Sequence, residues 1–137
     1  MASLLNPYIS FNGDARQALE FYKEVFGGTL DVNTYGEYGD PSGDGADNIM
    51  HGSLKTDAGY TIMGADNPPG AAHSAGSNIS CSLSGDEAEP LKGYFTKLAE
   101  GGTVSVPMEK QMWGDEFGMV TDKFGVTWMV NVVAAQG

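Results

Sequence analysis

Two segments of this chain share one order of predicted secondary structure, and this duplication limits the possible folds more than any other feature. Each segment begins with an alternating strand pattern, continues with an amphipathic helix that ends at two glycines, and closes with three more strand patterns. The first segment predicts a helix and four strands, at 12–28 and at 6–11, 29–35, 48–56 and 60–66. The second predicts a helix and four strands, at 86–102 and at 77–85, 103–109, 116–121 and 126–133.

Three short sequence matches support the duplication. "GGTLDV" from Gly27 matches "GGTVSV" from Gly101 at an offset of 74, and "GD" at Gly13 matches "GD" at Gly85 at an offset of 72. "TDAGYTIM" matches "TDKFGVTWM" at an offset of 65, which becomes 66 after one extra residue. Since the matches keep their order, we predict one α+β domain, 1–137, made of two βαβββ modules at 1–72 and 73–137.

The first predicted helix has a candidate cap and a continuous apolar stripe. Asp14 precedes the first helical turn, where a carboxylate can accept the free backbone N–H groups. Helical spacing predicts that one set of side chains packs on the sheet: Ala15, Ala18, Leu19, Tyr22, Val25 and Phe26.

Charge and cysteine content exclude some partners and favour a compartment. The net charge is −11 at pH 7, so nucleic acid and anionic membranes are not expected as partners. Cys81 is the single cysteine, which precludes an intrachain disulfide and favours the cytoplasm. No secretory signal pattern opens the sequence, and no apolar stretch has the length of a membrane span.

An acidic, glycine-rich segment at 35–48 separates two strands of the first module. It carries four carboxylates, at Glu37, Asp40, Asp44 and Asp47. A solvated loop is the simplest interpretation, while a lid or a weak cation site is the alternative because the spacing is not that of a calcium loop.

The chain resembles the PhnB-like branch of the vicinal oxygen chelate superfamily, which includes glyoxalase I, extradiol dioxygenases and bleomycin-resistance proteins. "NPYISFNGDARQALEFYKEVFGG", "IMHGSL" and "MWGDEFGMVTDKFGVTWMVNV" carry the resemblance. It implies that each module curls a mixed sheet and that the two sheets enclose a cavity. It also implies either binding or conversion of a small molecule there.

Metal-using members of the superfamily place His, Gln or Glu on the first and last strands of each module. Strand alternation turns Tyr8, Ser10 and Asn12 of this chain toward the cavity in the first module, and Asn78, Ser80 and Ser82 in the second. Met63 and Met129 stand on the last strands. Because divalent metals need imidazole, carboxylate or thiolate donors, we expect no metal site and no cofactor, with one divalent metal as the alternative.

His51 and Glu116 form the candidate catalytic pair. At the offset of 65 they occupy matching positions, and the resemblance implies that both could line one cavity. An imidazole beside a carboxylate suits general acid–base chemistry, although both could be polar wall residues. His73 lies in a predicted loop, where a solvated side chain is expected.

Two tryptophans complete the candidate ligand site, although both could equally belong to the core. The proposed ligand-binding residues are Tyr8, Ser10, Met63, Asn78, Ser80, Trp113 and Trp128. These residues predict a small-molecule binding protein without the usual metal site. The alternative is a lyase, isomerase or dioxygenase-like enzyme that uses His51 and Glu116, with or without a divalent metal. The strand at 126–133 is apolar on both faces apart from Thr127 and Asn131, which predicts a homodimer because one helix covers only one face of a strand.

Overall fold

The computed structural model of the protein describes residues 5–37, 39, 43, 45–67 and 79–134. The chain divides into two compact units, Met1–Ser74 and Ala75–Gly137. The predicted module boundary between residues 72 and 73 lies outside the described residues, as does His73.

The first unit has the βαβββ order that the sequence predicts. Its elements are β1 (Tyr8–Phe11), α1 (Ala15–Phe26), β2 (Thr29–Thr34), β3 (Ile49–Lys55) and β4 (Thr61–Asp66). The sheet has the strand order β1-β4-β3-β2, in which β1 and β4 are parallel and the other pairs are antiparallel. The parallel pair is made possible by the long connection that runs through α1, β2 and β3.

The second unit repeats this plan. Its elements are β5 (Cys81–Gly85), α2 (Ala88–Leu98), β6 (Thr103–Lys110), β7 (Glu116–Thr121) and β8 (Thr127–Val132). The strand order is β5-β8-β7-β6, again with one parallel pair, β5 and β8. The predicted α+β fold of two βαβββ modules with mixed sheets is therefore confirmed. Among the described helices, none has the length and apolar character needed to cross a membrane.

Each helix covers one face of its own sheet. The predicted apolar stripe of α1 is buried throughout, and α2 buries Leu91, Phe95 and Leu98 in the same way. On the strand side, buried residues alternate with half-buried ones in β4, β7 and β8. Successive strand residues point to opposite faces, so each sheet has a helix-covered face and a helix-free face.

Asp66, rather than the predicted Asp14, caps the first helix. No side-chain hydrogen bond from Asp14 caps α1. One carboxylate oxygen of Asp66 accepts the backbone N–H groups of Gly13 and Ala15 at 2.8 and 2.9 Å. Its other oxygen accepts the N–H group of Ile49 at 2.8 Å. A buried carboxylate at the end of β4 thus joins the start of α1 to the start of β3.

The two β-hairpin turns have equal lengths, which corrects the predicted extra residue in the second. The hydroxyl of Thr56 accepts the backbone N–H of Tyr60, and the carboxylate of Asp122 accepts that of Val126. These hydrogen-bond pairs lie 66 residues apart. Thr56 is therefore the counterpart of Asp122, not of Thr121, and the repeat offset is 66 through both hairpins.

The ends of the acidic loop continue the pairing of β2 with β3. Tyr35 N–H donates to the carbonyl of Asn48 at 3.1 Å, and Gly36 N–H donates to that of Ala46 at 2.9 Å. The hydroxyl of Tyr35 donates to the backbone carbonyl of Asp66 at 2.8 Å. Asp40 and Asp44 of the predicted acidic cluster lie outside the described residues.

Candidate functional site

The helix-free face of the first sheet presents polar and sulfur-containing side chains from three strands. Tyr8 stands beside Met63 across the parallel β1–β4 pair, and Met63 stands beside Ser53 across the β4–β3 pair. Two residues further along β1, on the same face, Ser10 stands beside Ala65. His51 lies on this face too, because its neighbour Gly52 faces α1. The predicted residues Tyr8, Ser10, His51 and Met63 are therefore brought together on one face of one unit.

A hydrogen bond joins the two aromatic side chains of this face. The hydroxyl oxygen of Tyr8 lies 3.1 Å from Nδ1 of His51, and the ring centroids are 5.7 Å apart with 33° between the planes. With Nδ1 engaged by the phenol, the other ring nitrogen, Nε2, is the one that can meet a ligand. The pair thus supplies a fixed imidazole beside a phenol at a partly exposed position, since Tyr8 is 51% exposed.

The helix-free face of the second sheet is more apolar. Ser82, Met129 and Met119 form one row across β5, β8 and β7. Ser84, Asn131 and Phe117 form the next row. Trp113, in the loop before β7, packs edge to face against Phe117 with 6.4 Å between the ring centroids. Aromatic, thioether and amide groups are therefore the main chemistry on this face.

Asp115 holds the Asn131 side chain in place. One carboxylate oxygen of Asp115 accepts a hydrogen bond from the Asn131 amide nitrogen at 3.1 Å, and the other accepts the backbone N–H of Ala134 at 2.8 Å. The Ala134 hydrogen bond, followed by the Asn131 hydrogen bond, lowers the pKa of Asp115 from its ordinary value. Asp115 is therefore an ionised hydrogen-bond acceptor at neutral pH.

The structure corrects the predicted position of Glu116. Its carboxylate forms an ion pair with Lys92 of α2 at 2.6 Å, so its side chain lies on the helix-covered face of the second sheet. The predicted offset of 65 caused the error: at the structural offset of 66, His51 matches Phe117. A one-residue shift in register moves a side chain to the opposite face of a strand.

Trp128 also lies elsewhere than on the predicted ligand face. Its side chain is 2% exposed within the core of the second unit, and its indole N–H donates to Asp122 at 2.9 Å. Ser80 is exposed and precedes the first residue of β5, while Asn78 lies outside the described residues. Within β5, Ser82 and Ser84 lie on the helix-free face. Trp113, by contrast, is 60% exposed and can meet a ligand.

The described residues of the helix-free faces do not form a donor set that fits a divalent metal. The helix-free faces offer Tyr8, Met63 and Met129 where the resemblance implies metal donors, and His51 supplies the one imidazole among the described residues. Within residues 5–37, 39, 43, 45–67 and 79–134, no three His, Cys, Asp or Glu side chains form a group that could hold a metal ion. The Cys81 thiol is half-buried, and burial, followed by the charge of Asp122, raises its pKa, which keeps it protonated.

The protein is an α+β protein of two similar modules. Each module has a four-stranded mixed sheet with a helix on one face and candidate ligand-binding side chains on the other. A model of the Glyoxalase/Bleomycin resistance protein/Dioxygenase superfamily matches residues 4–130. Protein YjdN of Escherichia coli strain K12 is 33% identical over 144 residues, which cover 96% of this chain and 97% of that protein. The chain belongs to this superfamily, as the sequence motifs predict.

Solved structures agree with this assignment. The protein PA1353 from Pseudomonas aeruginosa matches with a TM-score of 0.86 and 36% identity, over 98% of this chain and 100% of that chain. The PhnB protein from Bacillus cereus matches with a TM-score of 0.75 and 22% identity, over 96% of this chain and 100% of that chain. The latter similarity concerns the fold alone.

Sequence reasoning missed Asn131, Asp115 and the partnership of Tyr8 with His51. Asn131 could have been found from strand alternation, because the apolar residues Trp128, Val130 and Val132 of β8 share one face and leave Asn131 on the other. The hydrogen bond between Tyr8 and His51 joins β1 to β3, which are separated by β4 in the sheet. No local sequence signal gives such a contact before the strand order is known.

Proposed function

We propose that this protein binds a small organic molecule through the helix-free faces of its sheets, without the divalent metal of the metal-using relatives. The observation that carries the proposal is the Tyr8–His51 hydrogen bond on the helix-free face of the first sheet. It fixes an imidazole and a phenol beside Met63, and such a mixture of a few directed polar groups with apolar surface suits a ligand.

The second sheet supports the same function with different chemistry. Phe117, Met119 and Met129 supply apolar surface, while Asn131 supplies one directed amide. Methionine adapts to ligands of varied shape, and aromatic rings contribute large contact areas. These properties favour an organic ligand that has both an apolar ring or chain and polar substituents.

A ligand-observed NMR screen of a fragment panel tests the proposal. We expect hits for wild-type protein, weakened by Tyr8→Phe and by His51→Gln for those ligands that bind the first sheet. Tyr60→Phe is the matched control, because Tyr60 precedes β4 in the turn and contacts Phe26 instead. The absence of any hit for wild-type protein, or hits that are all unaffected by substitutions on both helix-free faces, contradicts the binding proposal.

Elemental analysis of protein purified without a histidine tag tests the proposed absence of a divalent metal. We expect zinc, nickel, manganese and iron to remain well below one atom per chain, because the helix-free faces lack a sufficient donor set. A stoichiometric metal that survives dialysis contradicts this part, and its loss in His51→Gln would identify His51 as a ligand.

A metal-independent enzyme is the second candidate, favoured by the same Tyr8–His51 geometry. The phenol can orient the imidazole, and the free Nε2 can accept or donate a proton at a bound substrate. Glu116 has no part in this candidate because it is paired with Lys92. NMR spectra of each fragment hit, followed over time, separate the candidates: product signals that vanish in His51→Gln indicate catalysis, and unchanged ligand indicates binding.

We also propose a cytoplasmic homodimer. The single cysteine supports the location, because a reducing compartment does not favour disulfides. Apolar side chains that are exposed in the second unit support association, among them Ile79 at 82% and Met112 at 98%. A net charge of −11 on each chain disfavours nucleic acid and anionic membranes as further partners.

A further inference from the structure

Asn131 has a fixed amide orientation. Its amide nitrogen lies 3.1 Å from a carboxylate oxygen of Asp115, and an ionised carboxylate can only accept hydrogen bonds. The nitrogen must therefore face Asp115. The amide oxygen, Oδ1, points away from Asp115 and has no hydrogen-bond partner among the described residues. The side chain presents a hydrogen-bond acceptor that cannot be exchanged for a donor by rotation of the amide.

The strand of Asn131 places this acceptor beside an aromatic pair. Asn131 and Phe117 are direct partners in the antiparallel β7–β8 ladder, so their side chains are neighbours on the helix-free face. Phe117 contacts Trp113 edge to face, and Trp113 is 60% exposed. A planar ring can therefore lie against aromatic surface that adjoins the amide.

Asp115, which directly precedes β7, is hydrogen-bonded to the chain just after β8. Its second oxygen accepts the backbone N–H of Ala134, two residues beyond the end of β8. The carboxylate therefore bridges the start of β7 and the end of β8. Both of its oxygens accept hydrogen bonds, one from Ala134 and one from Asn131, and an amide in its place would have one acceptor oxygen for these two donors.

We propose that Asn131 selects planar aromatic ligands that carry an N–H or O–H donor, with Asp115 as its positioning residue. This inference rests on the proposed small-molecule binding function and names the ligand class for the second sheet. Asn131 Oδ1 accepts the donor hydrogen, while Trp113 and Phe117 contact the ring. Ligands of the same shape without the donor leave Oδ1 unpaired and bind more weakly.

Indole and 1-methylindole are the probe pair, because they share a ring system and differ in the N–H donor. Dissociation constants are measured by NMR titration on folded full-length protein. We expect wild-type protein to bind indole about fivefold more tightly than 1-methylindole, the effect of one net hydrogen bond. Asn131→Leu and Asn131→Ala should bring this ratio close to one, and Asp115→Asn should lower it.

Asp57→Asn is the matched control, because it makes the same chemical change at an exposed carboxylate in the turn between β3 and β4. It should keep the wild-type ratio. The ratio of the two dissociation constants separates a positioning role of Asp115 from an effect on stability. Loss of structure would weaken the binding of both probes by the same factor and leave the ratio unchanged. A wild-type ratio near one, a ratio that persists in the Asn131 variants or in Asp115→Asn, or binding of neither probe overturns the inference.

The binding function itself is judged separately by the fragment screen. Hits that depend on Tyr8 and His51, combined with an indole ratio that ignores Asn131, would retain the function and remove the inference. No hits from the whole panel would remove both.

Discussion

Gly52 and Gly118 occupy the same position in the two modules, and each lies directly under a side chain of the helix that covers its sheet. A Cβ atom on Gly52 would collide with Cδ1 of Leu19, which is completely buried in α1. A Cβ atom on Gly118 would lie 2.8 Å from Cε2 of Phe95 in α2. The duplicated helix-to-sheet packing therefore depends on a missing side chain at the same point of each module.

We expect Gly52→Ala and Gly118→Ala each to lower the free energy of unfolding by about 1–3 kcal/mol, the usual cost of overpacking a core. Gly93→Ala is the matched control. Gly93 lies within α2, and an added Cβ would meet nothing within 4 Å. Alanine should therefore stabilise that helix by about 1 kcal/mol. Denaturant unfolding followed by circular dichroism measures all three. Stabilisation by either strand substitution would contradict the proposed close packing.

The fold was predictable from the sequence, and the candidate site only in part. Helix stripes, glycine stops and strand alternation are local patterns, so they gave the order of elements and the α+β class. The offset between the modules came from the letters "TD" at Thr56 and Thr121. The structure instead matches Thr56 with Asp122. These two residues differ in type, but each side chain accepts the backbone N–H of the residue four positions later in its turn.

An offset error of one residue has little effect on element order but reverses the faces of a strand. It assigned Glu116 to the face of His51, although Glu116 pairs with Lys92 of α2. A match of Gly52 with Gly118 would have corrected the offset, since both glycines lie in the middle of strand patterns. The Asp66 cap could not be read locally, because it stands 51 residues from Ala15 in sequence.

Asp66 and Asp122 each accept three N–H hydrogen bonds, and each is 3% exposed. Asn in either position keeps one acceptor oxygen and turns an NH₂ group toward a buried donor. We expect Asp66→Asn and Asp122→Asn each to lower the free energy of unfolding by about 2 kcal/mol. Asp122→Asn should also shift the fluorescence of Trp128, whose indole N–H loses its carboxylate partner. Asp57→Asn should be neutral. Equal stability of all three variants and wild type would refute the structural role.

Asp115 predicts a stability change at acidic pH. Its pKa is lowered in the folded state by the Ala134 and Asn131 hydrogen bonds. A carboxyl group with a lowered folded pKa stabilises the fold above its unfolded pKa, and this contribution is lost as pH falls through the folded pKa. The stability difference between wild type and Asp115→Asn should be constant above about pH 5 and shrink below about pH 4. Urea unfolding across this range measures it, and a difference that grows on acidification would contradict the assignment.

The last prediction is that two chains associate. In the structure, exposed apolar side chains support this prediction more strongly than the apolar character of β8 does. The helix-free face of β8 carries Thr127, Met129 and Asn131, so both polar residues of this strand lie on that face. Exposed side chains outside the sheet rows, such as Met112 and Ile79, are the stronger reason to expect a partner. The charge of −11 on each chain opposes association, and salt screens that repulsion. Light scattering at micromolar concentration should give twice the chain mass of 14.4 kDa, with the dimer fraction rising as salt is added. A mass of one chain at both low and high salt would exclude the homodimer.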